Sequence, residues 1–172
     1  ESLKEIPEKQ VRDNLLLATW TIRALERSKG GDRLLESYFY IAEILSRFDL
    51  VAIQEVRRDL APLETLRQIL GPSSYNYIVT DVTEGKSGNE ERVAYFFDTR
   101  KVFFQRVAGE IVLPPERLVG KEAPFARSPF MVAFQARWLK FNLCSVHIYY
   151  GEDTGKKLER RRGEIEAVAK FL

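Results

Sequence analysis

Residues 51–57 read Val-Ala-Ile-Gln-Glu-Val-Arg, an apolar run that delivers one carboxylate, Glu55, and then a guanidinium, Arg57. Open α/β sheets place ligands at the carboxyl ends of buried strands. A single oxygen donor on so rigid an element suits Mg2+, which takes one or two carboxylates and fills its shell with water and phosphate. Position alone also allows a plainer role, a solvated loop acid paired with Arg57, and that role is the commoner one. His147 ends a stretch in which Leu139, Phe141, Leu143 and Ser145 share its face. An imidazole leaving a strand into a cleft can serve as general acid or base, tuned by a neighbouring carboxylate; a half-buried histidine bonded to backbone is the more frequent alternative. Arg23, Arg57, Arg92 and Arg127 stand at strand ends and loops. A planar guanidinium bonds two phosphodiester oxygens at once, although scattered arginines usually just solvate a surface. Lys156 to Arg162 is a basic cluster of the kind that touches nucleic acid, but Glu159, Glu164 and Glu166 are interleaved with it and favour an ion-paired helix face.

The elements that must position these groups can be read from periodicity. Residues 1–13 are a polar lead-in. Asn14 to Trp20 is an apolar run suited to a strand buried on both faces. Asp32 is a candidate cap for a helix whose face is Leu34, Leu35, Tyr38, Ile41, Ala42, Leu45 and Phe48. Leu50 to Ile53 is a second buried strand. Asp59 then caps a helix with Leu60, Leu63, Leu66, Ile69 and Leu70 on one stripe, stopped by Gly71-Pro72. Tyr75 to Thr80 is a strand, and 84–91 an exposed loop. Arg92 to Phe97 and Lys101 to Ala108 look like a hairpin closed by residues 98–100. After a Pro-rich connection, Phe130 to Gln135 and Leu139 to Ile148 make a second hairpin. A last helix from about Thr154 would turn Leu158, Ile165, Val168, Ala169 and Leu172 inward. Two βα units followed by hairpins and a helix define an α/β fold: a mixed β-sheet with helices packed on one face.

Composition narrows the function classes. Among 172 residues, 27 Lys+Arg against 25 Asp+Glu leave a net charge of +2, so any nucleic-acid contact must come from a local patch. The length suits one domain, 14–172 after the lead-in. Cys144, the one cysteine, can form neither an internal disulfide nor a zinc cage. One histidine excludes any chemistry that needs two imidazoles within this stretch. No apolar run is long enough to span a bilayer. The chain opens at Glu1, its sole methionine is Met131, and it closes in an apolar-periodic run without a helix stop, so it reads as a fragment. A cytoplasmic location is the expectation, with secretion left open by the missing initiating end.

Taken together, five segments in order resemble the endonuclease/exonuclease/phosphatase superfamily, the deoxyribonuclease-I-like fold. Ala18-Thr19-Trp20-Thr21-Ile22-Arg23 resembles its first-strand motif, and Ala52 to Arg57 its second, whose Glu binds metal. Glu91 to Phe97 resembles the strand whose acid partners the catalytic His. Ala126-Arg127-Ser128-Pro129-Phe130 resembles the Arg-x-Pro segment that contacts phosphate, and Ser145-Val146-His147 the strand that delivers the His. Thr21 stands where the family has Asn, and the later Gly-Asp-x-Asn and Ser-Asp-His motifs are missing.

The resemblance implies the amino-terminal part of a four-layer α/β/β/α sandwich, about half of it, with an exposed apolar face that a second half or another copy would cover. It implies Mg2+-dependent (or Mn2+- or Ca2+-dependent) phosphodiester hydrolysis in the complete protein, with DNA the first expected substrate. Glu55 and Thr21 would lie at the metal, His147 and Glu91 would be the catalytic pair, and Arg23, Arg57 and Arg127 would grip phosphate. The alternatives are a non-catalytic nucleic-acid or phosphate-binding module and a phosphoesterase acting on a lipid or inositol phosphate.

Overall fold

The computed structural model describes residues 5–10, 12–25, 33–81, 91–112 and 125–172. The expected Asp32 cap, residues 84–90 of the exposed loop and most of the Pro-rich connection lie outside them. The first sheet has the order β1-β2-β4-β3, with β1 Leu17–Leu25, β2 Leu50–Val56, β3 Tyr75–Val79 and β4 Arg92–Asp98. β1 and β2 are parallel, while β4 runs antiparallel to both of its neighbours. The second sheet is β5-β6-β7, with β5 Val102–Glu110, β6 Phe130–Ala136 and β7 Leu139–Ser145, antiparallel throughout.

Two cores explain why these residues form these layers. Helices α1 (Leu35–Ser46) and α2 (Ala61–Leu70) pack Tyr38, Ile41, Leu45, Leu63 and Leu66 on the face of the first sheet that carries Val51, Ile53 and Phe96. Asp59 Oδ1 accepts from the Ala61 amide at the start of α2 (2.9 Å), as its type and position predict. The opposite face, with Leu50, Ala52, Tyr95 and Phe97, meets Val102, Val132 and Phe134 of the second sheet. Buried on both sides, β4 is apolar at nearly every position.

Two expectations are corrected here. β4 and β5 are not a hairpin: the turn at 99–101 exists, but it carries the chain from one sheet to the other. Turn composition marks a reversal without saying which sheet receives the returning strand, and buried Lys101 and Val102 pull this one into the second layer. Helix α3 (Gly155–Phe171) places Ala167 and Val168 against Met131 and Cys144 of the second sheet, so each sheet carries helices on one face, as the four-layer sandwich implies. Both faces of the first sheet are covered. Within α3 the buried stripe is rotated from the expected one: Ile165 and Leu172 are exposed and Glu164 is buried. Among the described residues no helix is long and apolar enough to cross a membrane.

Candidate active site

The groups singled out in the sequence converge on the edge of the sandwich where β2 ends. Val51 and Ile53 face the helices, and in an unbroken strand Val56 would face the other way. Instead Val56 is fully buried in the same core as Ile53. One residue has dropped out of the alternation, and that residue is Glu55. Its φ of +61° is left-handed, a conformation that costs a side chain with Cβ roughly 1–2 kcal/mol. The ladders to both neighbours slip at this level, between Ile53 and Val56 toward β4 and between Thr21 and Leu25 toward β1. The bulge turns the Glu55 carboxylate away from regular pairing, and bulges of this kind recur beside active sites.

The other carboxylate, Glu91, immediately precedes β4 and is buried. Arg127 donates its Nε to Glu91 Oε2, and Arg57 Nη2 lies 3.5 Å from Oε1. His147 Nδ1 is 3.4 Å from Glu91 Oε2. Burial, aided by the Arg127 charge, holds the His147 pKa below its usual value, against the opposing pull of Glu91 and Glu55. The imidazole is therefore neutral at pH 7. Glu55 and His147 thus share one electrostatic neighbourhood, Glu55 from β2 of the first sheet and His147 from the segment that follows β7 of the second.

Gln54 ties the two sheets together beneath them. Its Nε2 donates to Thr19 Oγ1 (2.9 Å) and to Ser145 Oγ (3.0 Å), and its Oε1 accepts from Thr21 Oγ1 (3.2 Å). Ser145 ends β7 two residues before His147, so this amide couples the strand carrying Glu55 to the point from which the chain runs on to the imidazole. A cleft of about 460 Å³ opens alongside, between Leu17 and Thr19 of β1 and Leu143 and Ser145 of β7.

The structure thus brings together Glu55, Glu91, His147, Arg57 and Arg127. Thr21 is exposed and sits opposite Gln54 in the ladder, one position from the level of Glu55. Arg23 does not join: it is exposed on β1, and no hydrogen bond or ion pair links its side chain to this group. Among the described residues there is no group of three or more His, Cys, Asp or Glu able to cage a metal. Glu55 with water and a phosphate oxygen fits a hard cation of the Mg2+ kind, which needs only one or two carboxylates; it does not fit an all-protein cage. Two residues were missed. Gln54 gave no signal apart from its place beside Glu55. Glu164 could have been found from its three- and four-residue spacing to Ala167 and Val168, which puts it on the inward stripe.

Comparison with known proteins agrees with this architecture. No family model matches the chain. A deoxyribonuclease of Thioalkalivibrio sp. (strain K90mix) is 29% identical over 160 residues, which are 92% of this chain and 40% of that protein. A mannosyl-6-phosphatase of Bacteroides thetaiotaomicron superposes with a TM-score of 0.64 at 20% identity, over 92% of this chain and 58% of that one. An endonuclease/exonuclease/phosphatase family protein of the same species gives 0.63 at 20% identity, over 91% and 56%. The chain has the deoxyribonuclease-I-like fold of the endonuclease/exonuclease/phosphatase superfamily. It spans 40% of the length of that curated relative.

Proposed function

We propose that this chain supplies the acid and histidine side of a phosphodiesterase site that hydrolyses DNA with Mg2+ or a similar hard cation. The observation that carries the reading is the left-handed bulge at Glu55, set on the same edge as His147, Glu91 and Arg127. Strain of that kind is retained where it aims a side chain that something else needs.

In this reading Glu55, with Thr21 beside it, would hold the cation, which when bound polarises a phosphate oxygen. Glu91 faces Nδ1 of His147 and favours the tautomer with its proton there, leaving Nε2 as the basic nitrogen. A neutral imidazole so fixed accepts a proton from the attacking water, or steadies it by hydrogen bonding. Arg127 spends its Nε on Glu91 and keeps its terminal nitrogens for a phosphate oxygen, and Arg57 flanks the same carboxylate from the other side. DNA is the substrate favoured by the deoxyribonuclease relative.

The test is Mg2+-dependent nicking of supercoiled plasmid by the complete protein and by its Glu55→Gln variant. The reading expects nicking that EDTA stops and that Glu55→Gln abolishes. A second reading, a non-catalytic phosphate-binding module, is favoured by Thr21, which stands where the family has Asn and whose short hydroxyl donates to Gln54 Oε1 (3.2 Å). Plasmid binding without nicking would select it.

A further inference from the structure

We infer that Glu164 of α3 is a positioning residue for this site: its buried carboxylate holds, by backbone amides, both loops that bring Arg127 and His147 to Glu91. The inference rests on the reading of the site given above. Glu164 is 1% exposed and is the one side chain of α3 that is fully buried. Its Oε1 accepts from the Ala126 amide (3.0 Å) and its Oε2 from the Tyr149 amide (2.8 Å). Ala126 immediately precedes Arg127, and Tyr149 lies two residues beyond His147. Arg160, one turn earlier, donates Nε to Oε1 (3.4 Å) and lies over the Tyr149 ring, 4.4 Å from its centroid. One carboxylate therefore fixes two otherwise separate segments, and each of them delivers a side chain to Glu91.

Packing does not require a charge at this position. The neighbouring contacts of α3 are apolar, Ala167 and Val168 against Phe125, Met131 and Cys144, and a leucine would extend that cluster. Burying a carboxylate is costly unless its lone pairs are filled. What a carboxylate offers and a leucine does not is two acceptors set to receive two backbone donors in charge-assisted bonds. Without it the Ala126 and Tyr149 amides lose their acceptor, and the loops relax around the site. A displacement of about 1 Å in a catalytic group is enough to cost on the order of 10²-fold in rate.

The experiment compares the chain with its Glu164→Gln and Glu164→Ala variants by amide hydrogen exchange and by the ring resonance of His147, the only imidazole present, at a fixed alkaline pH. The inference expects slow exchange at Ala126 and Tyr149 in the parent. Both should quicken together in Glu164→Ala while Ile53 and Phe96 in the central ladder stay slow, and the His147 resonance should move. Glu164→Gln, which keeps one good acceptor, should restore part of each effect, and it carries the test if the alanine variant does not fold. In the plasmid assay of the complete protein, kcat should fall on the order of 10²-fold for Glu164→Ala with KM little changed, the sign of misplaced groups rather than lost binding. Fast exchange at both amides in the parent, or an unmoved imidazole resonance in a folded variant, would overturn it. Absence of nicking by the parent would count against the proposed function alone, since exchange and resonance are read without substrate.

Discussion

Where β1 and β2 begin, two buried carboxylates are closed up by cations; where β2 finishes, two carboxylates face an imidazole across an irregular strand. At the first end Lys101 donates Nζ to Asp49 Oδ2 (2.7 Å) and to the Gln10 carbonyl (2.6 Å), while Lys9 and Arg100 both reach Asp98 Oδ2 at 2.6 Å. The Leu16 amide also donates to Asp49 (2.7 Å). Burial alone would raise the Asp98 carboxyl, but the bonds from Arg100 and Lys9 outweigh it and hold the pKa at about 2. At the second end Glu55 occupies a left-handed position, and His147 Nδ1 is buried without a hydrogen bond of good geometry. Buried charge held by lysine and arginine on all sides fastens the crossover between sheets. Charge held on a strained bulge beside a buried imidazole is the arrangement on which the proposed function rests.

The contrast can be broken from either end. Lys101→Met should be the largest stability effect, about 3–5 kcal/mol by denaturant unfolding, because it leaves Asp49 buried with its closest cation gone. What cleavage survives at a temperature where the variant is folded should be near normal. His147→Ala should do the reverse, costing about 10²–10⁴-fold in turnover with little change in unfolding free energy. Equal effects of both variants on both measurements would erase the distinction.

Acid sharpens it further. Asp98 contributes stability that is fully present above its unfolded pKa of 3.8 and is lost as pH falls toward about 2, a total of about 2 kcal/mol. His147, with its pKa depressed by burial and Arg127, keeps its neutral form below the usual 6.5. The acid limb of a pH–rate profile should accordingly fall below pH 6.5. The smallest change in stability is expected at Glu55 itself. Glu55→Gly relieves the left-handed strain and should raise stability by about 1 kcal/mol, a few degrees in Tm, while removing cleavage.

Much of the site was legible because its groups sit at the ends of strongly patterned strands. Glu55 after Val51-Ala52-Ile53 and His147 after the alternating residues of β7 needed only the direction of their strands to be placed. Glu91 and Arg127 were read from motif resemblance, and their convergence depends on pairings between distant segments, which no local pattern encodes. For the same reason the hairpin at 98–100 was misassigned: the reversal is written in Asp98-Thr99-Arg100, but the choice of sheet is made by Asp49, more than forty residues away. Glu164 looked like part of a solvated charge pattern because its partners are backbone amides, which carry no residue signature. Arg23 is exposed on the edge strand β1, and its side chain is not among those paired with Glu91.

The central claim is that Glu55 and His147 share one cation-competent site, and a paramagnetic titration tests it most directly. Adding Mn2+ to the chain should broaden the ring resonance of its only imidazole, and Glu55→Gln should abolish that broadening while leaving the fold intact. Broadening that survives Glu55→Gln, or a sharp imidazole line in a Mn2+-loaded chain, would contradict it.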